Sequence, residues 1–486
     1  MFHGEPSGAQ KRFLELPSIR IAREEGREDL VNTLLEVLHR IVPSDEEDKR
    51  VRELAEKIKL KVEEALRKLE IQASVEIEGS VARGTWISGS VDFDIFILLP
   101  PPPTSEYEYK GMLEDLVMKV MRELDLRSQM RYAEHPYLHV WIEGYEVDIV
   151  PAFESHPEKI ISAVDRTPYH TRYVRSMLND DLRNEVRLLK GFLKGIGVYG
   201  AEIKVGGFSG YACELLIIYY GSFLQAVKEL SRKKRILIDL TRTWSPEDAF
   251  KKFNHSFILV DPVDRNRNVT NALRRETICR FQLLSKLFLA KPSSKFFFPK
   301  APDLPKDESI ISEISRRKLC MLVLRRSNVP PDVYWGQALR IMHKIKNVLE
   351  RSEFSPIFLG ISEGKNSMII LIETRFHATP TPRIVSGPPT SASTENILSF
   401  IRKYRGRSIA GPWIEGQRIV FLVDESVLLS DFLEEYVKTI KIEPSFTSFE
   451  IIDSPSKMLE VAREEEMLQD MYSLVIRREI LNYIDE

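Results

Sequence analysis

Cysteines and long apolar runs are scarce in this chain. Only three of its 486 residues are cysteine, and none belongs to a CxxC pair. This argues against a disulfide framework and a cysteine-ligated zinc site, and it indicates a reducing compartment. No apolar run reaches the ~20 residues that span a bilayer, and the start lacks the apolar core of a secretion signal. These absences predict a cytoplasmic protein with no membrane partner.

An excess of one charge is also lacking. The 70 Lys and Arg residues nearly balance the 72 Asp and Glu residues, for a net charge of −2. The balance neither requires nor excludes a nucleic-acid partner, since a local basic surface on a neutral protein serves equally well. Hydrophobic residues (43%) and charged residues (29%) are in the proportions of a globular protein. The length predicts two to four domains.

Helical and strand patterns divide the chain. Residues 1–30 read as a polar, irregular extension, and apolar positions recur at helical spacing from Arg27 to Leu69. Strands are predicted at 71–79 and 93–99, followed by two strands within 137–153 joined at Glu143-Gly144, a tight hairpin signal. This mixture predicts an α/β or α+β domain that ends near residue 180. Residues 181–250 are largely helical, and the Pro-, Ser- and Thr-rich segment 378–395 reads as a loop.

Three aspartates carry the strongest chemical signal. Asp92 and Asp94 are two positions apart at the start of an apolar strand, so their side chains share a face. Asp148 lies in another apolar strand and can reach the same edge. Neighbouring carboxylates repel one another unless a cation lies between them, and hard oxygen ligands suit Mg²⁺. The three acids therefore predict a two-metal site for in-line phosphoryl displacement, with Asp92, Asp94 and Asp148 as both catalytic residues and metal ligands.

A glycine-serine turn precedes these acids. Gly79-Ser80 ends the strand at 71–79 and leads into a helical segment, so its backbone N–H groups can face a phosphate. Ser80 adds a hydroxyl donor and Arg83 a charge-assisted one. A lone DxD is most often a solvated strand edge, and a lone glycine-serine turn is equally unspecific. The ordered set of turn, DxD and a later strand acid is more specific than either part.

This pattern resembles the DNA polymerase β-like nucleotidyltransferase superfamily, and further segments narrow the resemblance to the archaeal, class I CCA-adding enzymes. The resemblance extends in order from about residue 30 to 290 and more loosely to the end. The segments that carry it are SAVDRTPYHTRYV (162–174), NEVRLLKGFLKGIGVYGAE (184–202), GGFSGYACELLIIYYGSF (206–223) and FILVDPVDRNRNV (257–269).

The resemblance implies a tRNA nucleotidyltransferase that builds or repairs the 3′-terminal C-C-A from CTP and ATP, without a nucleic-acid template. It implies an α+β multidomain fold with a nucleotidyltransferase head of mixed sheet and helices, a helical neck, and an α/β body and tail. The ranges are an N-terminal extension (1–30), the head (31–180), the neck (181–255), the body (256–325 and 425–486) and the tail (326–424).

Residue roles follow from the same resemblance. Ser80 and Arg83 would hold the triphosphate, and His170, Lys190 and Tyr199 would contact the nucleotide's phosphates and sugar. Arg267 would read the incoming base together with a tRNA phosphate.

Without the resemblance, each of these residues has a plainer interpretation. Lys190 would be a solvated helical lysine, His170 a structural hydrogen-bonding group and Tyr199 a packing residue. Arg265 would be as good a candidate as Arg267.

Several alternatives remain open at this point. Another polymerase β-like transferase, such as a poly(A)-adding enzyme or a small-molecule nucleotidyltransferase, would share the acids. A catalytically silent tRNA-binding protein would share the fold. Basic segments at 375–383 and 402–407 can grip the tRNA elbow, or can be ordinary solvated surface. The partners expected are tRNA, through its acceptor stem, 3′ end and elbow, with CTP and ATP as substrates, and a homodimer is one possible assembly.

Overall fold

The computed structural model describes residues 12–101, 106–132, 135–155, 160–301 and 303–484. The chain forms two compact units, one comprising residues 1–300 with 480–486 and the other Ala301–Glu479. Within the described ranges, no helix is both long and apolar enough to cross a membrane.

The first unit contains the segments in which the site residues were predicted. Its regular elements, in chain order, are α1 (Pro17–Glu24), α2 (Glu28–Ile41), α3 (Asp45–Lys68), β1 (Ser74–Glu78), α4 (Gly79–Arg83), β2 (Phe93–Leu99), α5 (Glu106–Leu124), β3 (Ser128–Tyr132), β4 (Pro136–Ile142), β5 (Tyr145–Phe153), α6 (Thr167–Met177), α7 (Asp180–Gly195), α8 (Gly210–Tyr220), α9 (Phe223–Leu230), β6 (Ile236–Ile238), α10 (Pro246–Phe253), β7 (Phe257–Leu259) and α11 (Arg275–Ala290).

A five-stranded mixed sheet forms the centre of the predicted head, in the order β1-β2-β5-β4-β3. β2 and β5 are parallel, and the other pairs are antiparallel. Alternate side chains of β2, including Phe93, Ile95 and Ile97, enter a core covered by α3 and α5. The predicted hairpin is confirmed, because Glu143 and Gly144 both have positive φ (52° and 85°) between β4 and β5. The mixed helices and strands of the chain confirm the predicted α+β class.

The N-terminal segment differs from its prediction. Residues 17–24 form helix α1 instead of irregular chain, with Pro17 in its first turn. Leu16, Ile19 and Ala22 are fully buried in the core that α7, α8 and α9 share. The backbone N–H and hydroxyl of Ser18 donate to buried Glu185 at 2.8 and 2.5 Å. The apolar stripe is short, and the polar residues around it hid it in the sequence.

The predicted boundary between neck and body falls inside a small structural element. β6 and β7 pair in parallel, with Ile236 opposite Phe257, and α10 connects them. The boundary at 255/256 would therefore separate two hydrogen-bonded strands.

The second unit contains two separate sheets, in the strand orders β14-β8-β10-β9 and β11-β13-β12. Its elements are α12 (Asp307–Arg317), β8 (Leu319–Arg326), α13 (Pro331–Glu350), β9 (Pro356–Glu363), β10 (Ser367–Thr374), β11 (Arg383–Pro389), α14 (Thr394–Tyr404), β12 (Ser408–Glu415), β13 (Arg418–Val423), α15 (Leu429–Lys438), β14 (Phe446–Ile452), α16 (Pro455–Glu464) and α17 (Leu468–Ile476).

Strand pairing in this unit corrects one prediction and bears on a second. The segment predicted as a loop at 378–395 contains strand β11, which pairs with β13. The predicted tail, 326–424, contributes β9 and β10 to the same sheet as β8 and β14 of the predicted body. The proposed border therefore divides a continuous sheet.

Candidate active site

The three predicted acids lie on one face of the head sheet. Asp94 on β2 and Asp148 on β5 are direct partners across the parallel strand pair, so their side chains emerge side by side. Asp92 immediately precedes β2 and is two positions from Asp94, which places it on the same side. The aspartates are on the face opposite the core of Phe93, Ile95 and Ile97.

Proximity and burial make this cluster electrostatically unfavourable without a cation. Burial raises the pKa of Asp94 to about 7, and the carboxylates of Asp148 and Asp92 add to the rise. Arg83 and Lys190 act in the opposite direction. The pKa of Asp148 is also raised by burial. Carboxyl groups that bind protons this readily offer a favourable place for positive charge.

The glycine-serine turn touches the acids directly. Gly79 begins α4 with φ of +66°, and a Cβ added to it would lie 1.8 Å from Oδ2 of Asp94. Only glycine allows this approach, because it lacks a side chain and tolerates positive φ. Half-buried Ser80 follows in the same short helix. The turn and the DxD segment are therefore packed against each other.

Arg83 and Lys190 come together around an acid that the sequence interpretation did not select. Arg83 Nε donates to Glu214 Oε1 at 3.1 Å, and Lys190 Nζ lies 3.4 Å from the same oxygen. The Thr85 hydroxyl donates to Glu214 at 2.5 Å and accepts from Lys190 at 3.0 Å. Lys190 and Glu214 are almost completely buried. Burial alone would raise the pKa of Glu214, but Arg83 and Lys190 hold it below its usual value.

His170 and Arg267 are joined through a second buried acid, Asp261. His170 Nε2 lies 2.9 Å from Asp261 Oδ2, and Arg267 Nη1 donates to the same oxygen at 2.9 Å. The Tyr211 hydroxyl donates to Oδ1 at 3.0 Å, and its ring stacks on His170 at 3.9 Å. Hydrogen bonding to His170 and the charge of Arg267 keep the pKa of Asp261 at about 2 despite burial. Exposed Arg265 is outside this network and contributes its carbonyl to Trp244.

Tyr199 completes the group of predicted residues. A Cβ at Gly210 would lie 3.0 Å from the Tyr199 hydroxyl and 3.6 Å from Lys190 Nζ, so these two polar groups flank one small residue. Burial raises the pKa of Tyr199, which keeps its hydroxyl protonated. The two networks also meet, because Arg83 Nη1 donates to the hydroxyl of Thr171, next to His170, at 3.1 Å.

The titratable residues at the site that escaped the sequence interpretation include His139, Tyr211, Glu214 and Asp261. His139 is the cross-strand partner of Asp148, and its Nδ1 lies 2.6 Å from Asp148 Oδ1. Glu214 is the only acid in the otherwise apolar helix GYACELLIIYY, and an acid in such a helix needs a buried cation. A single acid in an apolar helix was therefore the sequence signal that could have identified Glu214. Nothing local to Tyr211 or Asp261 indicated that they form a pair.

The donor chemistry fits Mg²⁺ as part of a set completed by substrate. Within the described ranges, no three His, Cys, Asp or Glu side chains already form a complete metal-binding group. Mg²⁺ in phosphoryl-transfer sites is commonly held by one or two carboxylates together with substrate phosphates. The paired oxygens of Asp94 and Asp148, with Asp92 beside them, supply the protein part of such a set.

The sheet, its glycine-serine turn and its aspartates define a nucleotidyltransferase domain. Comparison with known families agrees: residues 59–170 match the model described as nucleotidyltransferase domain. Residues 184–298 match the second domain of tRNA nucleotidyltransferase, and residues 316–439 match the C-terminal domain of the CCA-adding enzyme.

Curated relatives give the family. A CCA-adding enzyme of Pyrobaculum islandicum is 34% identical over 414 residues, which cover 84% of this chain and 94% of the relative. One from Sulfurisphaera tokodaii is 42% identical over 66% of this chain and 73% of the relative. One from Saccharolobus solfataricus is 39% identical over 76% of this chain and 84% of the relative. The chain belongs to the CCA-adding enzymes, which confirms the resemblance found in its sequence.

Proposed function

We propose that this enzyme builds and repairs the 3′-terminal C-C-A of tRNA by transferring nucleotidyl groups from CTP and ATP to the tRNA 3′-hydroxyl. Pyrophosphate is the leaving group, and no nucleic-acid template is needed. The observation that carries the chemistry is the direct pairing of Asp94 with Asp148 beside Gly79. Family membership supplies the tRNA acceptor.

The protein's residues bind and orient the substrates. Ser80 and the backbone of the turn hold the triphosphate, with Arg83 and Lys190 supplying positive charge. Glu214 keeps both cations in place before the nucleotide arrives, because it contacts each of them. His170 and Tyr199 contact the phosphates and the sugar.

Asp92, Asp94 and Asp148 would hold Mg²⁺. When bound, Mg²⁺ supplies a lowered pKa for the attacking hydroxyl and neutralises charge on the departing pyrophosphate. We assign Asp148 a part in accepting the proton of the attacking tRNA hydroxyl. Its hydrogen bond to His139 fixes the orientation of the carboxylate.

Base selection is assigned to Arg267. A guanidinium offers only donors, so it satisfies acceptors of C, while a tRNA phosphate oxygen satisfies the amino groups of C and A. U and G leave groups unpaired at about 1–3 kcal/mol each. Arg267→Ala should therefore reduce the preference for C and A over U and G by about tenfold or more, with less effect on triphosphate affinity. Equal losses in kcat/KM for all four nucleotides would contradict this role.

One incorporation experiment tests the proposed function. The protein is incubated with tRNA lacking its terminal C-C-A, Mg²⁺ and labelled CTP or ATP, and the products are sized. Addition of two C residues and one A is expected, and Asp148→Asn should abolish it. A long A tract without C would favour a poly(A)-adding enzyme. No incorporation, with tRNA still bound, would leave the silent tRNA-binding protein.

Further parts of the proposal concern partners and location. Basic segments 375–383 and 402–407 are assigned to the tRNA elbow, and Arg402, Lys403, Arg405 and Arg407 are exposed. A homodimer and a cytoplasmic location stay predictions, which light scattering and cell fractionation can test.

A further inference from the structure

Six exposed cations form a patch on the first unit. We call Arg232, Lys233, Lys234, Arg235, Lys251 and Lys252 the neck basic patch. The first four fill the turn between α9 and β6, and the last two are in the final turn of α10. Arg235 and Lys251 line one shallow cleft together with Phe250, which brings the two groups together.

The charges of this patch are mostly uncompensated. Lys233 pairs with Glu229 at 3.1 Å. In the described part of the chain, the other five cations have no carboxylate within ion-pairing distance, although Glu247 lines the cleft. The helix C-terminus favours Lys251 and Lys252 locally, but it gives no reason for the four consecutive cations before β6. Unpaired charge at this density is unusual on a chain with a net charge of −2.

Aromatic rings and a side-chain amide hold the patch in shape. The guanidinium of Arg235 lies 3.8 Å from the centre of the Phe250 ring, and Lys252 Nζ lies 5.7 Å from that of Trp244. The Gln282 side-chain amide donates to the carbonyls of Leu230 and Lys233, at 3.3 and 2.7 Å, which fixes the turn. An ordered set of cations loses less entropy when a polyanion binds.

The patch is separate from the base-reading network. Because β6 and β7 are parallel, Asp261 follows the carboxyl end of β7, while Arg235 precedes the amino end of β6. The four cations before β6 and the Asp261–Arg267 network therefore lie at opposite ends of the two-stranded sheet, whereas Lys252 lies over Trp244, whose indole N–H donates to the carbonyl of Arg265. A contact here adds affinity without touching the nucleotide.

We propose that the neck basic patch binds the phosphate backbone of the tRNA substrate. The inference rests on the proposed function for the identity of the RNA. Exposed lysines and arginines at several successive positions suit closely spaced phosphates, and duplex RNA is recognised largely through its shape and backbone. Such contacts position the RNA and carry no base specificity.

Salt-dependent binding tests this surface. The triple variant Arg232→Ala/Lys234→Ala/Lys251→Ala is compared with wild type for affinity to labelled tRNA lacking C-C-A, without nucleotide, from about 50 to 200 mM salt. The slope of log K against log salt should become shallower by about 2–3, because each phosphate contact contributes roughly 0.9. At about 0.1 M salt the tRNA Kd should rise about tenfold or more, with the CTP Kd unchanged.

A matched control removes three other cations of the same unit. Lys49→Ala/Lys59→Ala/Lys68→Ala changes the net charge equally, on helix α3, where each lysine has an acid partner. Its salt slope should stay that of wild type. The proposal is overturned if the patch variant binds tRNA like this control, or if its CTP and tRNA affinities fall equally. Failure of wild type to incorporate CTP would instead overturn the proposed function, since the binding assay needs no chemistry.

Discussion

Replacing Asp94 by asparagine should stabilise the metal-free enzyme while abolishing its activity. The side chain keeps its size, so it still fits against Gly79, but it loses its charge. In wild type, burial raises the pKa of Asp94 from 3.8 to about 7. Between these values the folded state holds a proton that the unfolded chain has released. Stability therefore falls as pH rises from about 4 through 7, and the loss is complete above 7.

The size of the effect follows from the pKa shift. About three units at 1.36 kcal/mol each give about 4 kcal/mol as an upper value. Asp94 is only half-buried, and solvent reduces the effect, so about 2–4 kcal/mol is expected at pH 8. For a unit of about 300 residues that corresponds to a rise in Tm of about 3–6 °C.

Thermal unfolding in EDTA at pH 5 and pH 8 measures this directly. Asp94→Asn should have a higher Tm than wild type at pH 8, with a smaller difference at pH 5. The control is Asp115→Asn at an exposed position of α5. This variant loses only the surface pair of Asp115 with Lys119, which is worth under about 0.5 kcal/mol. Adding Mg²⁺ should raise the Tm of wild type more than that of Asp94→Asn. A variant less stable than wild type at pH 8 in EDTA would refute the reasoning.

Two further substitutions probe the surroundings of the acids. Gly79→Ala places a methyl group against the Asp94 carboxylate and should lower kcat for CTP incorporation by about 100-fold. The control is Gly89→Ala, which is also at positive φ but has no atom within 4 Å of the added Cβ; it should cost about 1 kcal/mol of stability and little activity. Equal activity of the two variants would contradict this prediction. His139→Ala removes the hydrogen bond to the Asp148 carboxylate. It should raise the Mg²⁺ concentration for half-maximal activity about 10- to 100-fold, at unchanged KM for CTP. Unaltered Mg²⁺ dependence would show that His139 is dispensable for positioning Asp148.

Local patterns predicted well that the aspartates share one face of the sheet. The spacing of Asp92 and Asp94 and the apolar residues beside them are properties of one short segment, and strand alternation converts them into geometry. The partnership of Asp94 with Asp148 was a hypothesis only, because the sequence of one strand does not specify which distant strand pairs with it. The structure shows that the two residues are in register.

Buried acids were the main omission at the site. The family resemblance pointed to the cations, Lys190 for the nucleotide's phosphates and sugar and Arg267 for the base. It gave no reason to expect that Glu214 and Asp261 hold those cations when no nucleotide is bound. A buried charge needs a partner, so each apolar segment that contains one ionisable residue could have been searched for its counterpart.

The domain borders stay predictions, and strand pairing bears on one of them. The predicted body and tail were assigned from order along the chain, whereas β8 and β10 pair across that border. Strand β11 was missed because its prolines and glycine resemble a loop, and an edge strand tolerates them. Such pairings depend on contacts that no local window contains.

The register of β2 against β5 links correct folding to the capacity to react. Side chains alternate between the two faces of a sheet, so a slip of one residue would turn Asp148 toward the hydrophobic core and leave Asp94 alone. A misregistered molecule could still be compact and could still bind RNA through its surface charges, but under the proposed function it would be unable to extend a tRNA. Incorporation of CMP is therefore a stricter measure of the native population than compactness or RNA binding, because it counts only molecules in which that one strand pair formed correctly.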